Sequence, residues 1–301
     1  ATGSPGRTER PGPHRPITLL SMPATTHQPR IHCICVCKNE ADIIAACFRD
    51  ALKWAEHIIV YDGESTDGTW EVVHELAKEV GEGRIIPWRQ DGKTFQESLR
   101  AEAFNANRQL AQPGDWWCHL DADEFYIDDP QAFLAGVPGW AHVVWGLFVE
   151  YYLTSEEAES LDFEQPIEAL LGELKHYRAD HAEPRFFRDR KGLVWPEDRG
   201  WPIHMGPVYP PMIRFKHFKY RTPQQIQRRL DTRRRNIERG FTGWDHAAAE
   251  DWREKLADPA KLQVDRGDGQ YVIDSDKLPA HRGPWKRRVV QRIMHGLGVW
   301  P

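Results

Sequence analysis

The chain has few cysteines, no long apolar run and no net positive charge, and each shortage argues against a class of protein. Five Cys in 301 residues do not make a disulfide scaffold. Cys33, Cys35 and Cys37 alternate, and alternate residues share one face of a strand, so their spacing predicts a stripe of small buried side chains rather than a zinc site. Cys47 and Cys118 also fall in apolar runs, and reduced, buried thiols in a reducing compartment are the expectation. No run approaches the roughly 18 apolar residues of a membrane-spanning helix, and residues 17–22 are too short for a secretory signal. The net charge of −5 argues against a dedicated nucleic-acid binder.

That charge is uneven. Between Arg214 and Arg239 ten Lys/Arg face only Asp231 and Glu238, so with an excess of +8 there the rest of a −5 chain carries −13. A basic wall in an acidic protein suits an anionic substrate. Hydrophobic residues at 40% are enough for a full core, and most of the thirteen Trp are expected in it. Residues 1–29 are rich in Pro, Gly, Arg and Thr and are expected to be disordered, with Met22 a candidate natural start.

From residue 30 the pattern alternates strand and helix. Strands are predicted at 31–36, 57–61, 84–87 and 116–120, and helices at 70–80 (closed by Gly81) and 95–110. Asn39 is the expected cap of a further helix carrying Ile43, Ile44, Cys47 and Phe48. This is the signature of an α/β fold with a mostly parallel sheet and helices on both faces. In such sheets ligands bind beyond the carboxyl ends of the strands. Three polar clusters fall there: Lys38-Asn39-Glu40, the loop from Asp62 to Thr69, and Asp121-Ala122-Asp123-Glu124.

The second half reads as irregular over residues 141–211. Thr222-Pro223-Gln224-Gln225 then forms a capping box with Pro at the first helical position. The helix it opens carries Ile226, Leu230 and Ile237 and is expected to stop at Gly240. Its arginines (Arg228, Arg229, Arg233, Arg234, Arg235) read as a solvated face, with a wall for phosphates or an anionic membrane as the other reading. A last helix over 285–300 places apolar residues at 285, 289, 293 and 297 among Lys286, Arg287, Arg288 and Arg292. That pattern fits peripheral contact with a membrane surface, and equally a stripe docked on the body of the protein.

Asp121 and Asp123, one residue apart at a strand end, suit a hard cation such as Mg²⁺ or Mn²⁺ completed by a diphosphate. Asp62 is placed to accept a bond from a base or ribose, whereas Ser65, Asp67 and Gly68 read as turn builders.

Val36-Cys37-Lys38-Asn39-Glu40, Val60-Tyr61-Asp62-Gly63-Glu64-Ser65-Thr66-Asp67-Gly68-Thr69 and Leu120-Asp121-Ala122-Asp123-Glu124-Phe125 together resemble family 2 glycosyltransferases of the GT-A fold, in particular the bacterial branch whose metal motif is Asp-x-Asp-Glu-Phe. The resemblance is strong over residues 30–126. It implies that Lys38, Glu40 and Asp62 contact the donor nucleotide, that Asp121 meets the ribose or the metal side of the diphosphate, and that Asp123 binds the metal. Where the family often has Arg-Asn this chain has Phe104-Asn105, and Arg100, a turn earlier, is the candidate substitute. His217, in Phe215-Lys216-His217-Phe218, is the candidate third metal ligand, with His204 behind it. An inverting transfer needs a carboxylate base; Glu197-Asp198 resembles the family's acidic pair, with Asp198 first and Glu197 and Glu183 after it.

The expected protein is therefore a disordered 1–29 extension, a GT-A domain over 30–220 and a basic helical region over 221–301. Its partners are expected to be a nucleotide-sugar donor, by the resemblance a UDP-sugar, and a glycan, lipid-linked or small-molecule acceptor, in the cytoplasm or peripherally on the inner membrane face. A nucleotidyltransferase is the first rival, weakened because no Gly-rich, basic loop follows the first strand. A non-catalytic carbohydrate binder is the second, and it gives no reason for carboxylates at the strand ends.

Overall fold

The computed structural model describes residues 29–93, 95–238 and 249–301. The expectations for residues 1–28 and for a helix stop at Gly240 lie outside these. In chain order the elements are β1 (Ile31–Cys37), α1 (Ile44–Ala51), β2 (His57–Asp62), α2 (Thr69–Val80), β3 (Ile85–Gln90), α3 (Leu99–Asn107), β4 (Trp116–His119), β5 (Glu124–Tyr126), α4 (Pro130–Ala135), β6 (Val143–Tyr151), α5 (Ser155–Ser160), α6 (Ile167–Glu173), β7 (His176–Arg188), β8 (Ile213–His217), α7 (Pro223–Glu238), β9 (Gln263–Val264) and α8 (Trp285–Gly296).

Among the described residues the strands form one sheet in the order β3-β2-β1-β4-β7-β6-β8-β5, with β9 on β7. The first four run parallel. Every residue of β1 is buried, as a strand covered on both faces requires. Its Cys33, Cys35 and Cys37 face α1 and pack with Cys47 and Phe48, and all five cysteines are free and buried. Small thiols here let α1 lie close to the sheet. The opposite face carries Ile34, Ile59, Phe104, Trp117 and Trp195, and truncating a fully buried Trp such as Trp117 to Ala would cost about 3–5 kcal/mol.

Antiparallel pairing begins where β7 joins β4. The stretch read as irregular, 141–211, contains the two longest strands, β6 and β7. Pro184 lies inside β7, opposite Trp145 beside a register shift of β6. A proline is tolerated at such a bulge, although in sequence it argues against a strand. Asn39 is not a helix cap either. It takes φ 60° and turns the chain after β1, while α1 begins five residues later behind Ile43, with no side-chain cap. The helix expected from residue 95 is shorter, α3 followed by a 3₁₀ turn at Arg108–Leu110. Thr222 does cap α7, accepting from Gln225 N at 3.0 Å.

Short strands set up the site. β5 pairs antiparallel with β8 so that Glu124 lies opposite His217, and β6 places Glu150 opposite the same residue. Phe218 N donates to Asp123 O at 3.0 Å, pinning the turn before β5.

Candidate active site

The loops after β1 and β4, the end of β8 and one face of α7 enclose a cavity of about 270 Å³ lined by Lys38, Glu40, Arg100, Asp121, Asp123, His217, Arg229 and Arg233. It lies beyond the carboxyl ends of the parallel strands. Because α7 walls it, the boundary expected at 220/221 runs through the site. The arginine run splits: Arg229 and Arg233 line the cavity, while Arg234 and Arg235 point elsewhere.

Asp123 and His217 form its centre. His217 Nε2 lies 3.4 Å from Asp123 Oδ1, and its Nδ1 lies 3.3 Å from Glu150 Oε1. Burial alone would lower the imidazole, but the two carboxylates outweigh it and push it up to about 10. Burial works in the opposite direction on Asp123, yet His217, Arg229 and Arg221 hold its carboxyl well below the usual range. Lys219 Nζ, 2.8 Å from Glu150, closes this chain of charges.

Asp121 faces another way. One carboxylate oxygen accepts from Arg100, and the other lies 3.4 Å from Arg185. Arg185 is fully buried and also binds Glu124 and Glu183, the latter at 3.1 Å. Burial pushes the Glu124 carboxyl up to about 8 against the pull of Arg185. Glu183 moves the other way: burial is outweighed by Arg185, which brings it down to about 2.

The expected ligand set Asp121, Asp123 and His217 is therefore only partly assembled. Among the described residues no three His, Cys, Asp or Glu side chains converge on one point that could hold a metal ion. Asp123 and His217 converge, whereas Asp121 is drawn off by two guanidiniums. A carboxylate and an imidazole, the latter only once it has given up its proton, could still serve a hard divalent ion, which ordinarily keeps waters and takes phosphate oxygens as its remaining partners.

The other sequence-derived candidates divide. Glu40 is in the cavity, its carboxylate 2.6 Å from Arg221 and 3.5 Å from Arg229, and burial raises it to about 7 against those charges. Lys38 Nζ donates to Gly63 O. Asp62 is not at the cavity. It is fully buried, and its Oδ1 accepts from Ser65 N at 2.7 Å and Gln90 Nε2 at 3.1 Å, so it braces its own loop rather than facing a ribose. That loop is in turn tied to the first one by Asn39 N to Ser65 Oγ, Thr66 N to Asn39 Oδ1 and Glu40 N to Thr69 Oγ1, each 2.8 Å. Glu197 and Asp198 are exposed on a turn and are not in the Asp121 cluster. His204 is remote from it, stacked on Trp300 at 4.3 Å.

Sequence reasoning missed Arg185 and Glu150, and it read Arg221 only as one of the cations around His217 suited to a diphosphate. Arg221, fully buried, clamps both oxygens of Asp42 at 2.7 Å in addition to Glu40. The one visible signal was a lone cation inside an apolar run, as in Pro184-Arg185-Phe186-Phe187.

Residues 33–186 match the family model described as glycosyl transferase family 2. No curated protein gives a significant match. Similar solved structures include the mannosyltransferase PcManGT from Pyrobaculum calidifontis in complex with GDP-Man and Mn²⁺ (16% identity, 72% of this chain and 67% of that one, TM-score 0.41). Another is GalNAc-T7 with UDP, GalNAc and Mn²⁺ (16% identity, 73% of this chain and 49% of that one, TM-score 0.37). Matched over half its length by that family model, and built on the α/β sheet that its three motifs implied, the chain belongs to glycosyl transferase family 2 and is a GT-A glycosyltransferase.

Proposed function

We propose that this enzyme transfers a sugar from a nucleotide-diphosphate donor, with a UDP-sugar the first to try, to a hydroxyl acceptor with inversion at the anomeric carbon. The observation that carries the reading is the juxtaposition, at the carboxyl ends of β1 and β4, of the Asp123–His217 pair with Arg229 and Arg233 of α7. Asp123 and His217 would hold Mn²⁺ or Mg²⁺, which when bound neutralises charge on the departing diphosphate. Arg229 bridges Asp123 at 3.4 Å and Glu40 at 3.5 Å. Both contacts are longer than the roughly 2.7–2.9 Å of a strong charge-assisted bond, so exchanging them for phosphate oxygens costs little. Fixed positive charge beside the leaving group is the main source of rate acceleration expected in such catalysis.

For the base, the geometry favours Glu183 over Asp198 and Glu197. Glu183 is partly exposed, stays ionised at neutral pH and shares Arg185 with Asp121. It would take the acceptor's proton as the hydroxyl attacks. Asp121, oriented by Arg100 and Arg185, is left to hydrogen-bond the donor.

The test is thermal stabilisation by a panel of nucleoside diphosphates with and without Mn²⁺. A nucleotide at a hundred times its Kd should stabilise by about 2.7 kcal/mol, only with metal, and Asp123→Asn or His217→Ala should abolish this metal-dependent stabilisation. Equal stabilisation by UDP without metal, or an Asp123→Asn protein that behaves as wild type, would overturn the reading.

A further inference from the structure

Helix α8 is mounted with its polar side inward. Arg288, Gln291 and His295, spaced three and four residues apart, form the partly buried face together with Met294, with the His295 ring against His142 at 5.0 Å. Arg292 lies over Trp140 at 4.0 Å, and Trp300, just past the helix, stacks on His204. The opposite face is apolar and open: Trp285 is 63% exposed, Val289 46%, Ile293 52% and Leu297 72%. An amphipathic helix of a globular protein normally turns that face to the core, and among the described residues nothing covers it. Residues 277–301 carry six Lys/Arg and no Asp or Glu. Lys286 lies within the stripe, and Arg287 and Arg292 flank it. Arg282 and Arg287 also line a cleft of about 870 Å³ under the helix, with Arg199 opposite.

We infer that α8 is a docking surface for an anionic phospholipid bilayer, its apolar stripe entering the headgroup boundary and its cations pairing with lipid phosphates. The charge selects this occupant: a second copy would bring an equally positive face against the first, whereas an anionic surface attracts it. A Trp at the start of the stripe suits the boundary between water and acyl chains. No helix among the described residues is long and apolar enough to cross a membrane, so the contact is with the surface.

The experiment is co-sedimentation of the full chain with vesicles of phosphatidylcholine alone or mixed with phosphatidylglycerol. Wild type should partition onto the mixed vesicles, and about tenfold more weakly onto phosphatidylcholine alone or in high salt. Ile293→Ser with Leu297→Ser, and separately Lys286→Glu with Arg292→Glu, should each reduce partition about tenfold or more, with wild-type melting curves showing that the fold is intact. Wild type that ignores phosphatidylglycerol vesicles overturns the inference. So do folded variants that partition as wild type does, and so does a wild-type dimer that the serine pair turns into monomer. None of these outcomes touches the donor reading, which is tested by nucleotide binding.

Discussion

Replacing Arg221 by Met tests whether α7 and the loop after β1 are held together by charge. The guanidinium is fully buried, donates to both oxygens of Asp42 at 2.7 Å and to Glu40 at 2.6 Å, and lies 4.0 Å from Asp123. Removing one member of a buried ion pair costs about 3–5 kcal/mol, because the partner is left charged and unpaired. Asp42 is one-third exposed and can recover some hydration, whereas Glu40 is 12% exposed and is left with Arg229 alone, at 3.5 Å. The low end, about 3 kcal/mol, is therefore expected. At about 2–4 °C per kcal/mol in a chain of this size, the melting point should fall by about 6–12 °C. Adding Glu40→Gln and Asp42→Asn to Arg221→Met removes the orphaned charges and should restore more than half of the loss. The assay is urea unfolding followed by circular dichroism at neutral pH. A single variant within about 1 kcal/mol of wild type, or a triple variant no more stable than the single, would refute the reasoning.

Gly146→Ala would put a Cβ 2.5 Å from Phe215 and 2.6 Å from the Arg185 side chain. Both neighbours are buried, so a loss of about 1–3 kcal/mol is expected, together with slower transfer because Arg185 orients Asp121; an Ala variant with both properties unchanged contradicts this. Glu183→Gln should lower kcat about 10²–10⁴-fold with metal-dependent nucleotide binding unchanged, whereas such a loss confined to Asp198→Asn would move the base to that residue. His32, buried beside His57 and Asp115, is lowered by burial to about 4. The unfolded chain therefore binds the extra proton first, and this contribution to stability, complete above pH 6.5, is lost as pH falls towards 4. Glu40 and Glu124, raised by burial, shift stability in the opposite direction, so the comparison is with His32→Gln: between pH 7.5 and 5 wild type should lose about 2 kcal/mol more than the variant in urea titrations.

The parallel half of the fold was legible because its signals are local. The continuous apolar runs of β1 and β2 and the Gly81 stop of α2 put elements within a residue or two of their observed places. β7 was not legible, since its polar alternation is broken by Pro184 and its burial comes from β4 and β6, far away in sequence. The candidate site shows the same division. Asp123 and His217 could be named from motif and neighbourhood, but the turning of Asp121 away from them depends on Arg185, a residue of that unread strand, as well as on Arg100. Asp62 misleads in the opposite direction: a carboxylate at a strand end invites a ligand role, and only the backbone of its own loop shows that it is already engaged.

The Arg221 clamp also has a consequence in time. Its bonds to Asp42 and Glu40 span 179 and 181 residues of chain. At about 5–20 residues per second on the ribosome, the first loop waits roughly 9–36 s for the guanidinium that neutralises it. During that interval any first loop already formed lacks the guanidinium that ties Glu40 and Asp42 to the start of α7. Conditions that slow elongation after β8 should therefore lengthen exposure of this unfinished site to proteases and chaperones, without altering the finished enzyme.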